Sequence, residues 1–204
     1  MAQGPTRLSL ALADEASQRR VTPVDVFKLA RQWWLDGRRL NLGALADEVG
    51  VSRATIFRWV GNRDLLLAEI LWSMYSQVLN AAIKEAEGTG AEYVVDVYRR
   101  IGEVIVGFEP LRRFLLQDPQ YALRVLTSDA TDYHDRLVAA WKGLLDEQVE
   151  RGDLDPQLET DELAELIVRI NEGCLYSDLI AGREPAIELA CKALRLLLAS
   201  RCPC

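Results

Sequence analysis

Apolar residues recur along this chain at intervals of three and four, and the strict alternation that marks half-buried strands is nearly absent. The pattern predicts helices separated by short breaks. The breaks fall at Asp36-Gly37, Gly50, Gly61-Asn62, Gly88-Thr89-Gly90, Glu109-Pro110, Asp118-Pro119, Gly152 to Pro156 and Gly182 to Pro185, where glycine and proline punctuate the periodic segments. Helix starts repeat one chemistry: Thr22-Pro23, Asp118-Pro119 and Asp155-Pro156 each place a capping oxygen before a proline suited to the first helical position. Ser52 and Asn62 are caps without proline. The expected helices are 23–35, 42–49, 53–59, 63–86, 91–108, 110–126 with a break at Pro119, 132–151, 160–181 and 184–200. The fold class is all-α.

Residues 42–60 read LGALADEVGVSRATIFRWV, two short helices on either side of Gly50. Leu45, Val49, Val51, Ile56 and Trp59 supply the apolar set that holds the pair together, and Ala46 is small where the helices cross. Gly50 suits the left-handed conformation that ends the first helix, and Ser52 can cap the second. Apolar, small, Gly and cap at these spacings make a helix-turn-helix, whose second helix lies in the major groove of DNA.

Charge supports that reading. The chain has 204 residues and a net charge of −7, but residues 1–64 carry an excess of basic side chains and the remainder a larger excess of acidic ones. A basic head on an acidic body would meet a polyanion with the head. Arg53 and Arg63 each follow a cap and so occupy the first position of a helix, where the dipole disfavours a cation. A phosphate would turn that defect into a site. The alternative is that both arginines are solvated and Asp64 offsets one of them. Ala54, Thr55 and Arg58 are expected to face base edges.

Three short helices followed by a long fourth, carried by Val24 to Leu67, resemble the TetR family of transcriptional repressors. The matching residues are Gly50-Val51-Ser52, Thr55, Phe57, Trp59 and Arg63. Arg63 keeps the charge of the family's phosphate-binding lysine, whereas Phe57 lacks the hydroxyl that the family's tyrosine gives to a phosphate. The resemblance implies a DNA-facing set of Ser52, Arg53, Ala54, Thr55, Phe57, Arg58, Trp59 and Arg63. Gly152-Asp153-Leu154-Asp155-Pro156 followed by Leu163-Ala164 resembles the connection into the last two helices of that family, which form a four-helix dimer interface. The implied organisation is a flexible N-terminal arm over 1–20, a helix-turn-helix DNA-binding domain over 21–64, and a helical ligand-binding and dimerisation domain over 65–204. The implied partners are double-stranded DNA, a second copy of the chain, and a small effector. The whole sequence is further similar to the family's regulators of quorum-sensing-signal degradation, which implies a γ-lactone or an N-acyl homoserine lactone as inducer.

The body carries broad apolar stripes. Segment 91–108 aligns Tyr93, Val94, Val97, Tyr98, Ile101, Val104, Ile105 and Phe108, and segment 132–151 aligns Leu137, Val138, Trp141, Leu144, Leu145 and Val149. Most of these read as core. A chamber would use the same lining plus a few polar groups, and the candidates are Trp72, Tyr75, Tyr98, Tyr121, His134, Trp141 and Asn171. Asn171 lies in LIVRINEGCLYSDLI, apolar on more than one side. Little positive charge gathers in the body, so a small neutral apolar effector suits it better than an anion. Leu166, Ile170, Leu189, Ala193, Leu196 and Leu197 are the expected dimer contacts.

Other chemistry is sparse. Four cysteines are too few for a disulfide scaffold and one histidine excludes any site that needs two. The expectation is no metal, no cofactor and no membrane span, in a cytoplasmic protein. Cys202-Pro203-Cys204 leaves a redox role open. No P-loop, G-x-S-x-G or G-x-G-x-x-G occurs, which disfavours an all-helical enzyme. A ligand-released dimeric repressor leads, and a helix-turn-helix regulator whose body binds a protein partner is the alternative.

Overall fold

The computed structural model describes residues 6–8 and 21–199. Apart from residues 6–8, the expected arm lies outside the described residues, as do Cys202 and Cys204. The described residues from 21 to 199 fold as ten helices, with no strand among them. They are α1 (Pro23–Leu35), α2 (Leu42–Val49), α3 (Arg53–Val60), α4 (Arg63–Glu85), α5 (Gly90–Val106), α6 (Glu109–Gln117), α7 (Pro119–Thr127), α8 (Tyr133–Glu150), α9 (Thr160–Ile180) and α10 (Ile187–Leu197). Within α9, Glu172–Ser177 is wound as a π-helix.

Local chemistry accounts for the boundaries in the head. Thr22 and Asp25 form a reciprocal capping box on α1. Asn41, Ser52 and Asn62 accept hydrogen bonds from the backbone N–H groups of Ala44, Thr55 and Leu65 at 3.0, 3.1 and 2.9 Å. Gly50 closes α2 at φ 74°, the left-handed conformation expected of it. Val26, Ala30, Leu45, Ala46 and Ile56 are fully buried where α1, α2 and α3 meet.

The body follows expectation at one break and departs from it at two helix starts. As expected, Asp118-Pro119 breaks the 110–126 segment into two helices, with Asp118 capping α7. Asp155-Pro156 starts no helix. Leu154 and Pro156 are buried in a loop anchored by the Gln148 carbonyl, which accepts from the N–H groups of Asp153 and Leu154 at 3.0 and 3.2 Å. α9 begins at Thr160 behind a Glu159–Glu162 capping box. α10 begins at Ile187 because the Ala186 N–H is drawn to the Cys174 carbonyl at 3.0 Å.

α4 runs out of the head and through the body, packed on α5, α7 and α8. Gly90 takes φ 56°, a Cβ there would collide with the Asp153 carbonyl, and its N–H donates to the buried Gln148 side chain at 3.0 Å. That contact ties the start of α5 to the end of α8.

Candidate functional site

The candidate residues gather on two surfaces, the outer face of the head and the space between head and body. On α3, Ser52, Arg53, Ala54, Phe57 and Arg58 are exposed, and Phe57 shows 52% of its surface. Thr55 is half-buried, its hydroxyl 2.9 Å from that of Ser52. Trp59 is also half-buried and packs on the core, so its ring braces the helix more than it faces outward. Beside α3 lies a concavity of about 530 Å³ lined by Arg39, Leu40, Asn41, Leu42, Gly43, Arg53, Phe57 and Arg63. Three guanidinium groups and no carboxylate line it. Gly43 makes this possible, because a Cβ there would collide with the Arg53 guanidinium. A hollow this shape beside a helix N-terminus suits a backbone phosphate.

Arg63 is not the free cation that its sequence position suggests. Its Nε donates to the Tyr121 hydroxyl at 2.9 Å, and its guanidinium lies 4.1 Å over the Tyr121 ring. The Tyr121 hydroxyl donates in turn to Asp64 at 2.8 Å, and Arg124 reaches the same carboxylate at 3.0 Å. Asp64 itself is 3.9 Å from Arg63 Nε, so the closer partner comes from α7. Burial, then the hydrogen bond to Asp64, push the Tyr121 phenol up to about 12. Arg63 also lines the outer concavity.

Tyr121 therefore belongs to a joint between head and body. Arg113 of α6 completes it by donating to the Leu35 carbonyl at 2.8 Å and the Trp34 carbonyl at 3.4 Å, at the C-terminus of α1. A cation there offsets the helix dipole. Trp34 packs against Phe108 and Phe114 at ring separations of 6.2 and 6.1 Å, and Phe114 meets Tyr121 edge-on at 5.8 Å.

Next to the joint is a chamber of about 370 Å³. α4 supplies Leu71, Met74, Tyr75, Gln77 and Val78. The α5–α6 corner supplies Val104, Ile105, Phe108 and Leu111. Tyr133 comes from α8, Tyr176 from the π-helical turn, and Arg31 and Leu35 from α1 of the head. Burial raises the phenols of Tyr75, Tyr133 and Tyr176 far above the ordinary tyrosine value, so all three enter as neutral hydroxyls.

Of the expected chamber residues, Tyr75 lines it. Trp72 stacks on Tyr75 at 6.1 Å from behind, and Asn171 lies beside the Tyr176 hydroxyl. Tyr98 and Trp141 pack on each other at 6.0 Å in the core. His134 bridges Glu172 at 3.0 Å and Glu165 at 3.2 Å, which ties α8 to α9 outside the chamber. Arg31, Tyr133 and Tyr176 were not anticipated. Tyr176 carried a signal only in its nearness to Asn171, five residues away, a spacing that an α-helix does not bring together but a π-turn does.

Among the described residues, no group of three or more His, Cys, Asp or Glu could hold a metal ion. None of the described helices is long and apolar enough to cross a membrane. Cys174 and Cys191 are thiols whose burial raises them above the usual value.

Residues 89–199 match the family described as tetracyclin repressor-like, C-terminal domain. Among solved structures, the chain resembles the transcriptional repressor QsdR of the TetR family from R. erythropolis, with TM-score 0.79 and 29% identity over 89% of this chain and 96% of that one. FadR from Bacillus subtilis, solved in complex with stearoyl-CoA, has TM-score 0.53 and 15% identity over 89% of this chain and 100% of that one, a likeness of fold alone. No curated protein matches the sequence.

Proposed function

Because the chain belongs to the tetracyclin repressor-like family of transcriptional regulators, we propose that it is a dimeric DNA-binding repressor released by a small apolar carbonyl compound. Residues 21–64 read DNA and residues 65–204 bind the effector and pair the two copies. Arg53 and Arg63 take phosphates from the hollow beside α3, and Ala54, Thr55 and Arg58 face base edges. Ser52 and Phe57 flank that contact and Trp59 supports it.

The observation that carries the reading is the position of the chamber. Its walls include α1 of the head as well as α4 and the body helices. An occupant therefore touches the element whose position sets where α3 points. A ligand shifts DNA affinity only by binding one arrangement better than the other, and a tenfold loss of operator affinity needs about 1.4 kcal/mol of such difference. A body that bound only a protein partner would need no such space. The lining is almost wholly apolar, which suits an acyl chain. The sequence resemblance points to neutral γ-lactones and N-acyl homoserine lactones within that class.

Dimerisation is assigned to α9 and α10. Leu189 and Leu196 expose 62% and 79% of their surface there, and Leu166 is exposed beside them. Ile170, Ala193 and Leu197 are half-buried on the same helices. A two-fold pairing places the two α3 helices in successive major grooves, roughly 34–36 Å apart, on a near-palindromic operator.

The test is a mobility-shift assay on DNA flanking the protein's own gene, repeated with a panel of lactones. The expected result is a specific shift that one or more lactones abolish. A specific shift that no lactone or related acyl compound alters would remove the effector assignment and leave the DNA assignment standing.

A further inference from the structure

The chamber holds one formal charge, and it comes from the head. Arg31 on α1 lines the space, and its Nε is buried without a hydrogen-bond partner. No carboxylate among the described residues pairs with it, and the rest of the lining offers only phenols, the Gln77 amide and apolar side chains. Buried donors on charged groups are rarely left unmet, because they forfeit hydration and receive nothing in exchange. Among the described residues the other buried side-chain donor without a partner, Trp33 Nε1, does not line this space.

We propose that Arg31 is the polar anchor of the effector. The terminal N–H groups of its guanidinium donate to a carbonyl oxygen, and the attached apolar chain extends toward Tyr133 and Tyr176. This rests on the effector-released repressor reading. The chemistry required is a carbonyl acceptor on an apolar chain, which an acyl lactone and its ring-opened carboxylate share. Between the two, the carboxylate binds more tightly, because the guanidinium has no counter-charge and a charge-assisted hydrogen bond is the stronger one. The anchor lies on α1, so the effector grips the reading head directly and need not act only through the tilt of α4.

The experiment is calorimetry on the full chain with N-octanoyl homoserine lactone and with N-octanoyl homoserine, its hydrolysed acid. Wild type, Arg31→Met and Arg31→Gln are compared, each first checked for helical content and operator binding. Wild type is expected to prefer the acid, Arg31→Met to lose about tenfold in affinity for it, and both variants to bind acid and lactone alike. Arg31→Gln keeps a donor without the charge, so it carries the test if Arg31→Met does not fold. Unchanged binding of both probes in a folded variant overturns the anchor. A wild-type preference for the lactone overturns the ranking by charge. Failure of wild type to bind either probe, with operator binding intact, counts instead against the effector reading and takes the anchor with it.

Discussion

The head meets the body in two places that differ in kind. At the joint, Arg113 caps the end of α1, Trp34 is packed among Phe108 and Phe114, and the Arg63–Tyr121–Asp64–Arg124 network is hydrogen-bonded throughout. At the chamber, a short distance along the same α1, about 370 Å³ is left unfilled and a guanidinium nitrogen has no partner. A hollow of about 290 Å³ also opens beside the joint, but there the guanidinium groups of Arg63 and Arg113 are hydrogen-bonded, whereas the buried Arg31 Nε is not. An element held on one side and free on the other has a pivot. A molecule entering the free side would push against an anchored edge, and the displacement would pass to α3.

The contrast predicts unequal responses to mutation. The largest effect belongs to Trp34→Ala, which removes the centre of the joint and should destabilise the protein by about 3–5 kcal/mol in denaturant unfolding. A loss near zero would mean that the joint is not packed as described. Arg113→Ala comes next, at about 1–3 kcal/mol, because the Leu35 carbonyl loses its donor while the Trp34 carbonyl keeps only the Gly37 N–H. Restoring the charge with Arg113→Lys should recover part of that loss, since the helix dipole still meets a cation.

Arg53 and Arg63 separate DNA contact from the joint. Either alanine variant should reduce the salt dependence of DNA binding by about one unit of slope. Only Arg63→Ala should also lower stability, since Arg63 is hydrogen-bonded to Tyr121 of α7 and Arg53 has no such bond. Equal melting of the two variants would detach Arg63 from the joint. The smallest effect on stability is expected from Val78→Phe in the chamber, less than about 1 kcal/mol, because the ring enters empty space and displaces no packed neighbour. That variant should bind operator DNA normally yet lose its response to effector in the mobility-shift assay.

Most of the helices, the caps of the head and the helix-turn-helix followed from the sequence, whereas the start at Asp155-Pro156 did not form. Each depends on groups within four residues of one another: Ser52 with the Thr55 N–H, Thr22 with Asp25, Gly50 with its own backbone freedom. The candidate chamber was legible only at Tyr75, because a stripe of apolar residues looks the same whether its neighbour fills the space or leaves it open. Tyr98 found Trp141 and became core, while Tyr75 faces a gap whose far wall is α1. The same dependence governs the arginines. Arg53 and Arg63 stand alike behind their caps, and only the approach of α7, which brings Tyr121 from 58 residues away, makes Arg63 part of the joint. Hydrogen bonds that close over one helical turn are set by neighbouring residues. Voids and long-range partners are set by how three or more helices meet, and that geometry belongs to the tertiary structure alone.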